Sequence, residues 1–209
     1  MSRVLRFLIA GALLTAAIAA QTPALRKGVS VKMPVTTNAA AAPDADLTDS
    51  LVVAVTRDGS AFLNVTRETP AQLSENVKAR LAARPGRRVY VKGDARTPYS
   101  TVVTVLDALQ SAGVNAPILL TSQQDSTRAS YVPPMGLEVL LPPSPDAAQT
   151  VILKASDGQT SDAELKQLAG QGMLIILQAD GTTPFGDVVH AVDLFRGDGA
   201  RVFLAMRGE

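Results

Sequence analysis

One long stretch of this chain matches another without a gap, and that match limits the possible folds more than any other feature. Arg88 to Thr121, RVYVKGDARTPYSTVVTVLDALQSAGVNAPILLT, reads as strand, turn, helix, strand. Leu174 to Ala205, LIILQADGTTPFGDVVHAVDLFRGDGARVFLA, aligns with it position by position. Asp94 falls on Asp180, Thr97-Pro98-Tyr99 on Thr183-Pro184-Phe185, Asp107 on Asp193 and Gly113 on Gly199. Such internal similarity points to two related units in one chain. In each unit the threonine is expected to cap a helix and the proline to fill its first turn, where a missing N–H costs nothing. The buried faces are then Tyr99, Val102, Val103, Leu106 and Leu109, and Phe185, Val188, Val189, Val192 and Phe195, at amphipathic spacing. Gly113 and Gly199 suit the left-handed residue that ends a helix.

The surroundings complete each unit. Gly28 to Pro34 alternates apolar and polar residues like a short strand, and Thr36 to Asp49 reads as a small-residue tether. Leu51 to Val55 and Ala61 to Val65 form a hairpin about Asp58-Gly59, and Thr69-Pro70 opens a helix running to about Ala83. The expected order is β-β-α-β-α-β. Gln123 to Pro134 is a polar linker ending in two prolines, after which Gly136 to Pro142 echoes Gly28 to Pro34. Val151 to Ala155 is expected as a strand and Asp157-Gly158 as a turn, but Ser161-Asp162-Ala163-Glu164 already opens a helix. The second unit is therefore a shortened β-α-β-α-β, with one sheet edge bare unless the first unit or a partner chain covers it. These readings give an α/β (α+β) fold class and four segments: 1–25, 26–122, a linker 123–135, and 136–209.

Composition narrows the function. A net charge of +1 provides no field to recruit nucleic acid, and eight aromatic side chains are too few for stacking platforms. The absence of cysteine removes disulfides, thiolate metal sites and cysteine nucleophiles. Near the N-terminus, Arg3 and Arg6 precede the apolar run Phe7 to Ala20, the length of a signal-peptide core. With cleavage after Ala19 the protein would be released; uncleaved, Phe7 to Leu25 nearly suffices to cross a bilayer.

Few residues promise chemistry. His190, the single histidine, lies beside Val189 with no serine or metal set attached, so neither a catalytic residue nor a cofactor is expected. Asp94 and Asp180 follow a strand and precede a helix, where α/β proteins often hold ligands, although such an aspartate also bonds the amides of its own turn. Asp107 and Asp193 are expected to flank their helices in water. Arg84, Arg87 and Arg88 form a cluster that suits an anionic polymer such as the carboxylates of cell-wall peptides, or the C-terminal end of a helix dipole.

The stretches TPALRKGVSVKMP, LVVAVTRDGSAFLN and RVYVKGDARTPYSTVVTVLDALQSAGV together resemble the ExbD/TolR family of biopolymer-transport proteins, in family order from Thr22 to Ser122. Gly136 to Arg207 resembles it more weakly, through GLEVLLP and LQADGTTPFGDVVHAVDLFRGDGA. The resemblance implies a non-enzymatic periplasmic domain anchored in the inner membrane, or a periplasmic one if the N-terminus is cleaved. It implies partners of the ExbB/TolQ and TonB types and, in some members, peptidoglycan. Members that use the proton gradient carry an aspartate in the membrane helix, and Phe7 to Ala20 contains none, so an accessory role is expected. The paired units are expected to imitate a family dimer internally.

Overall fold

A computed structural model describes residues 29–123, 134–141, 149–153, 162–168 and 173–206. The chain forms a mixed α/β structure of two sheets and four α-helices among these residues. The first sheet contains β1 (Val35–Thr36), β2 (Ala40–Ala41), β3 (Leu51–Val55), β4 (Ala61–Leu63), β5 (Thr66–Glu68), β6 (Val89–Gly93), β7 (Ile118–Gln123) and β8 (Met135–Glu138). Its order is β2-β8-β7-β6-β3-β4-β5, with β1 alongside the far end of β7. The second sheet, β11-β10-β9, is parallel throughout and consists of β9 (Gln149–Leu153), β10 (Leu174–Ala179) and β11 (Arg201–Met206).

Helix α1 (Pro70–Ala83) starts as its sequence demands. Thr69 accepts from the Gln72 amide while the Gln72 side chain accepts from the Thr69 amide, a complete capping box with proline in the first turn. Helices α2 (Tyr99–Ser111), α3 (Asp162–Leu168) and α4 (Phe185–Gly197) follow. Gly113 and Gly199 lie just beyond α2 and α4 with φ of 90° and 81°, a backbone that disfavours any side chain.

Strand periodicity sorts the core. Leu51, Val53, Val55, Val89, Val91 and Leu119 face the helices, whereas Val52, Tyr90, Ile118 and Leu120 pack on the opposite face with Met33, Ala42 and Ala45. The helix-side cluster does not stop at the first sheet. It continues through Tyr99 and Leu109 into Ile175, Phe185, Phe195 and Leu204, so the two sheets share one apolar interior.

Several segments differ from the sequence-based expectation. Gly28 to Pro34 does not form a strand in its described part; pairing begins at Val35, because Pro34 has no N–H to give a ladder. The supposed tether 36–49 is built into the fold through β1, β2 and a 3-10 turn at Pro43–Asp46, and its Ala42 and Ala45 cover the open face of the sheet. The strand after the hairpin ends at Leu63, where Asn64 takes a φ of 58° and turns the chain into the additional strand β5. Met135–Glu138 pairs antiparallel with β7 in the first sheet, and only then does Leu140 bridge to Phe203 in the second. One short segment therefore serves both sheets, because each sheet offers a parallel strand with a free side. Strand β9 begins two residues before the expected Val151; the turn at 157–158, Ser161 and most of the linker lie outside the described residues.

Candidate functional site

The Thr-Pro turns do not cap their own helices. Both helices start one residue late, at Tyr99 and Phe185, without a side-chain cap bond. Thr97 Oγ1 donates instead to the Thr56 carbonyl at 3.1 Å, and Thr183 Oγ1 is buried without a partner. The first amides of each helix still need acceptors. They find them across the junction: Tyr99 N donates to the Thr183 carbonyl at 2.8 Å, and Phe185 N to the Thr97 carbonyl at 2.9 Å. The next pair repeats the exchange, with Ser100 N on the Gly181 carbonyl at 3.0 Å and Gly186 N on the Ala95 carbonyl at 2.8 Å. Pro98 and Pro184 face each other at the centre of this arrangement.

Aligned positions thus make reciprocal contacts, as across a twofold axis. The rings complete the contact. Phe185 lies so close over β6 that a Cβ on Gly93 would approach its ring to 2.5 Å, and only glycine leaves that room. The Tyr99 hydroxyl reaches the Ala205 carbonyl of β11 at 3.4 Å, and burial pushes its pKa upward.

Two buried aspartates, one from each aligned stretch, hold the N-terminal strap 32–38. Asp94, 3% exposed, accepts from Lys32 N at 3.1 Å, from Arg96 N at 3.0 Å, and from the Arg96 guanidinium through two bonds of 2.8 Å. The Arg96 hydrogen bonds are the largest influence on it and hold its pKa well below the carboxylate range. The aligned Asp180 is half-buried, and its carbonyl accepts from Thr183 N as that of Asp94 does from Thr97 N.

Asp193 corrects the expectation of a solvated helix flank. It is 3% exposed and accepts from Thr37 N at 2.9 Å, Thr37 Oγ1 at 3.0 Å and Asn38 N at 2.8 Å. The Asn38 side chain also donates to the Asp193 carbonyl at 3.0 Å. The strap thereby crosses from the first stretch to α4. No sequence pattern around Asp193 announces this, because its partners lie 155 and 156 positions away. Asp107, its aligned counterpart on α2, is exposed.

The three arginines do not present one cluster. Arg84 and Arg87 both pair with the Asp49 carboxylate, at 2.6 and 3.2 Å, while Arg88 lines a separate small cavity of about 170 Å³ together with Arg196 and Glu138. His190 pairs with Asp162 of α3 at 2.9 Å, both side chains about half exposed.

The sequence model of the biopolymer transport protein ExbD/TolR matches residues 2–124 of this chain. The chain belongs to the ExbD/TolR family. The Tol-Pal system protein TolR of Pseudomonas aeruginosa is 32% identical over 103 residues, covering 44% of this chain and 70% of that protein. The family match thus takes in the first sheet as far as β7 and the helices α1 and α2, whereas β8 to β11 with α3 and α4 lie beyond it. Among the described residues no helix is long and apolar enough to cross a membrane; the apolar run Phe7 to Ala20 lies outside them. As an ExbD/TolR-family chain it is a component of biopolymer-transport type.

Proposed function

We propose that this chain is a non-enzymatic, accessory component of an inner-membrane complex that uses the proton gradient, of the Tol-Pal or TonB type, with its globular part in the periplasm. The family match over residues 2–124 carries this reading. The similarity to TolR of Pseudomonas aeruginosa favours the Tol-Pal side. The accessory role rests on Phe7 to Ala20, which contains no carboxylate that could take up a proton within a bilayer. Detergent extraction of the full chain from its own membranes tests this: co-purification with a TolQ- or ExbB-type protein is expected. Recovery free of both would overturn it.

The reciprocal amide bonds at Pro98 and Pro184 favour a second reading, about assembly. Residues 173–206 occupy the place of a second subunit, so one chain provides an internal pseudo-dimer. Light scattering of the full chain, corrected for bound detergent, should then give the mass of a monomer. An obligate homodimer would count against it.

A further inference from the structure

The strap is fastened unlike any other part of the fold. From Ser30 to Ala42 it adds only the partly buried Ala39 to the interior that the two sheets share. Met33, Ala42 and the partly buried Val31 pack instead in the separate cluster on the outer face of the first sheet. Val35 is 51% exposed. Hydrogen bonds hold this segment at separate points along its length. Lys32 N donates to Asp94 and its carbonyl accepts from Ala95 N at 2.8 Å; the Pro34 carbonyl accepts from Ser122 N at 2.8 Å. The Thr36 and Thr121 hydroxyls lie 2.7 Å apart, Thr37 and Asn38 donate to Asp193, and β2 pairs with β8 over two residues.

Beyond Ala42 the chain turns inward. Ala45 is buried, its carbonyl accepts from Ser50 Oγ at 2.7 Å, and Asp49 pairs with both Arg84 and Arg87. Strand β3 then enters the sheet between β6 and β4 with every residue buried.

We infer that the strap is a releasable tether: pulled from its N-terminal end, it peels away and lengthens the reach of the globular part while both sheets stay folded. Loaded from that end, the fastenings bear the pull one after another, whereas the ladders on the two sides of β3 bear it together. Opening one weakly buried segment below the cost of global unfolding is ordinary for a folded chain. About 13 residues are freed, on the order of 45 Å of chain at full extension. Asp193 is the catch. When the strap leaves, Arg96 keeps Asp94 paired, but Asp193 loses the amide and hydroxyl donors that hold its buried charge. The use of such reach rests on the reading of a membrane-held N-terminus; the peeling itself does not.

The chain contains no cysteine, so Ser30→Cys and Lys78→Cys, both at exposed positions, take DNA handles for optical tweezers on the full chain in detergent. Two events are expected: a reversible one at low force that frees about 13 residues, then unfolding of the remainder at higher force. At a fixed force Asp193→Asn should open the first event at least tenfold faster, and Asp107→Asn should leave it unchanged. Asn38→Ala, at an exposed position, removes the bond to the Asp193 carbonyl and should speed opening at least twofold, which keeps the test readable if Asp193→Asn fails to fold. A single event that releases all the chain between the handles would overturn the tether. So would a first event indifferent to both Asp193→Asn and Asn38→Ala. A chain found released from membranes would instead refute the membrane-held reading and leave this result standing.

Discussion

Helices α2 and α4 carry the same punctuation and nearly the same buried positions, but their outer ridges face different surroundings. Around Asp193 the strap supplies backbone and side-chain donors and shuts out water; around Asp107 the same helical position opens on a groove. Strands β3 and β9 differ in a similar way. Both pair in parallel with the strand that follows the intervening helix, in matching five-residue registers. On its other side β3 is covered by β4, whereas β9 has no second partner among the described residues. Equal local sequence therefore fixes the element and its inner face. What covers the outer face depends on which distant segment reaches it.

Removing the junction should have the largest effect. Phe185→Ala deletes a fully buried ring that fills the space over Gly93 and is expected to cost about 3–5 kcal/mol, read as a lower urea midpoint. A loss under about 1 kcal/mol would mean that the two aligned stretches do not depend on each other. Next comes the aspartate pair itself. Asp193→Asn sets an amide against buried N–H donors and should lose about 2–3 kcal/mol, the order of one hydrogen bond to a charged group with its donors left unsatisfied. Asp107→Asn should leave the midpoint unchanged or slightly higher, because partial burial already disfavours its charged form. Equal losses at the two sites would erase the contrast.

The smallest effect is expected in acid. Bonds from Arg96 and Lys32 depress the folded-state pKa of Asp94 below the value of about 3.9 usual for an unfolded chain. A depressed carboxylate pKa gives stability that is fully present above the unfolded value and is lost as pH falls below it toward the folded one. Thermal melts between pH 6 and pH 2 should therefore fall less steeply below pH 4 for Asp94→Asn than for the native chain. Parallel curves would show that Asp94 has no part in the acid response.

Much of the local structure was legible from particular residues. Thr69-Pro70 fixed the start of α1, the apolar spacing from Tyr99 to Leu109 fixed the face of α2, and Gly113 and Gly199 marked turns that need positive φ. The same logic failed at Thr97 and Thr183, since a capping sequence specifies that the amides need acceptors without naming which acceptors they find. It failed again at 36–49, where small residues looked like slack chain because their partners, Asp193, β7 and β8, are distant in sequence.

By itself, then, the sequence determined the α/β class, the main strands and helices with their inner faces, and the family resemblance from Thr22 to Ser122, because each depends on short-range spacing or on collinear matching. Tertiary structure decided that the Thr-Pro turns satisfy each other's helices, that the strap is pinned by aspartates from both stretches, and that Asp107 opens on a groove where the aligned Asp193 is covered. Those outcomes depend on hydrogen-bond partners far apart along the chain, and only the folded arrangement selects among the donors and acceptors that local sequence leaves unassigned.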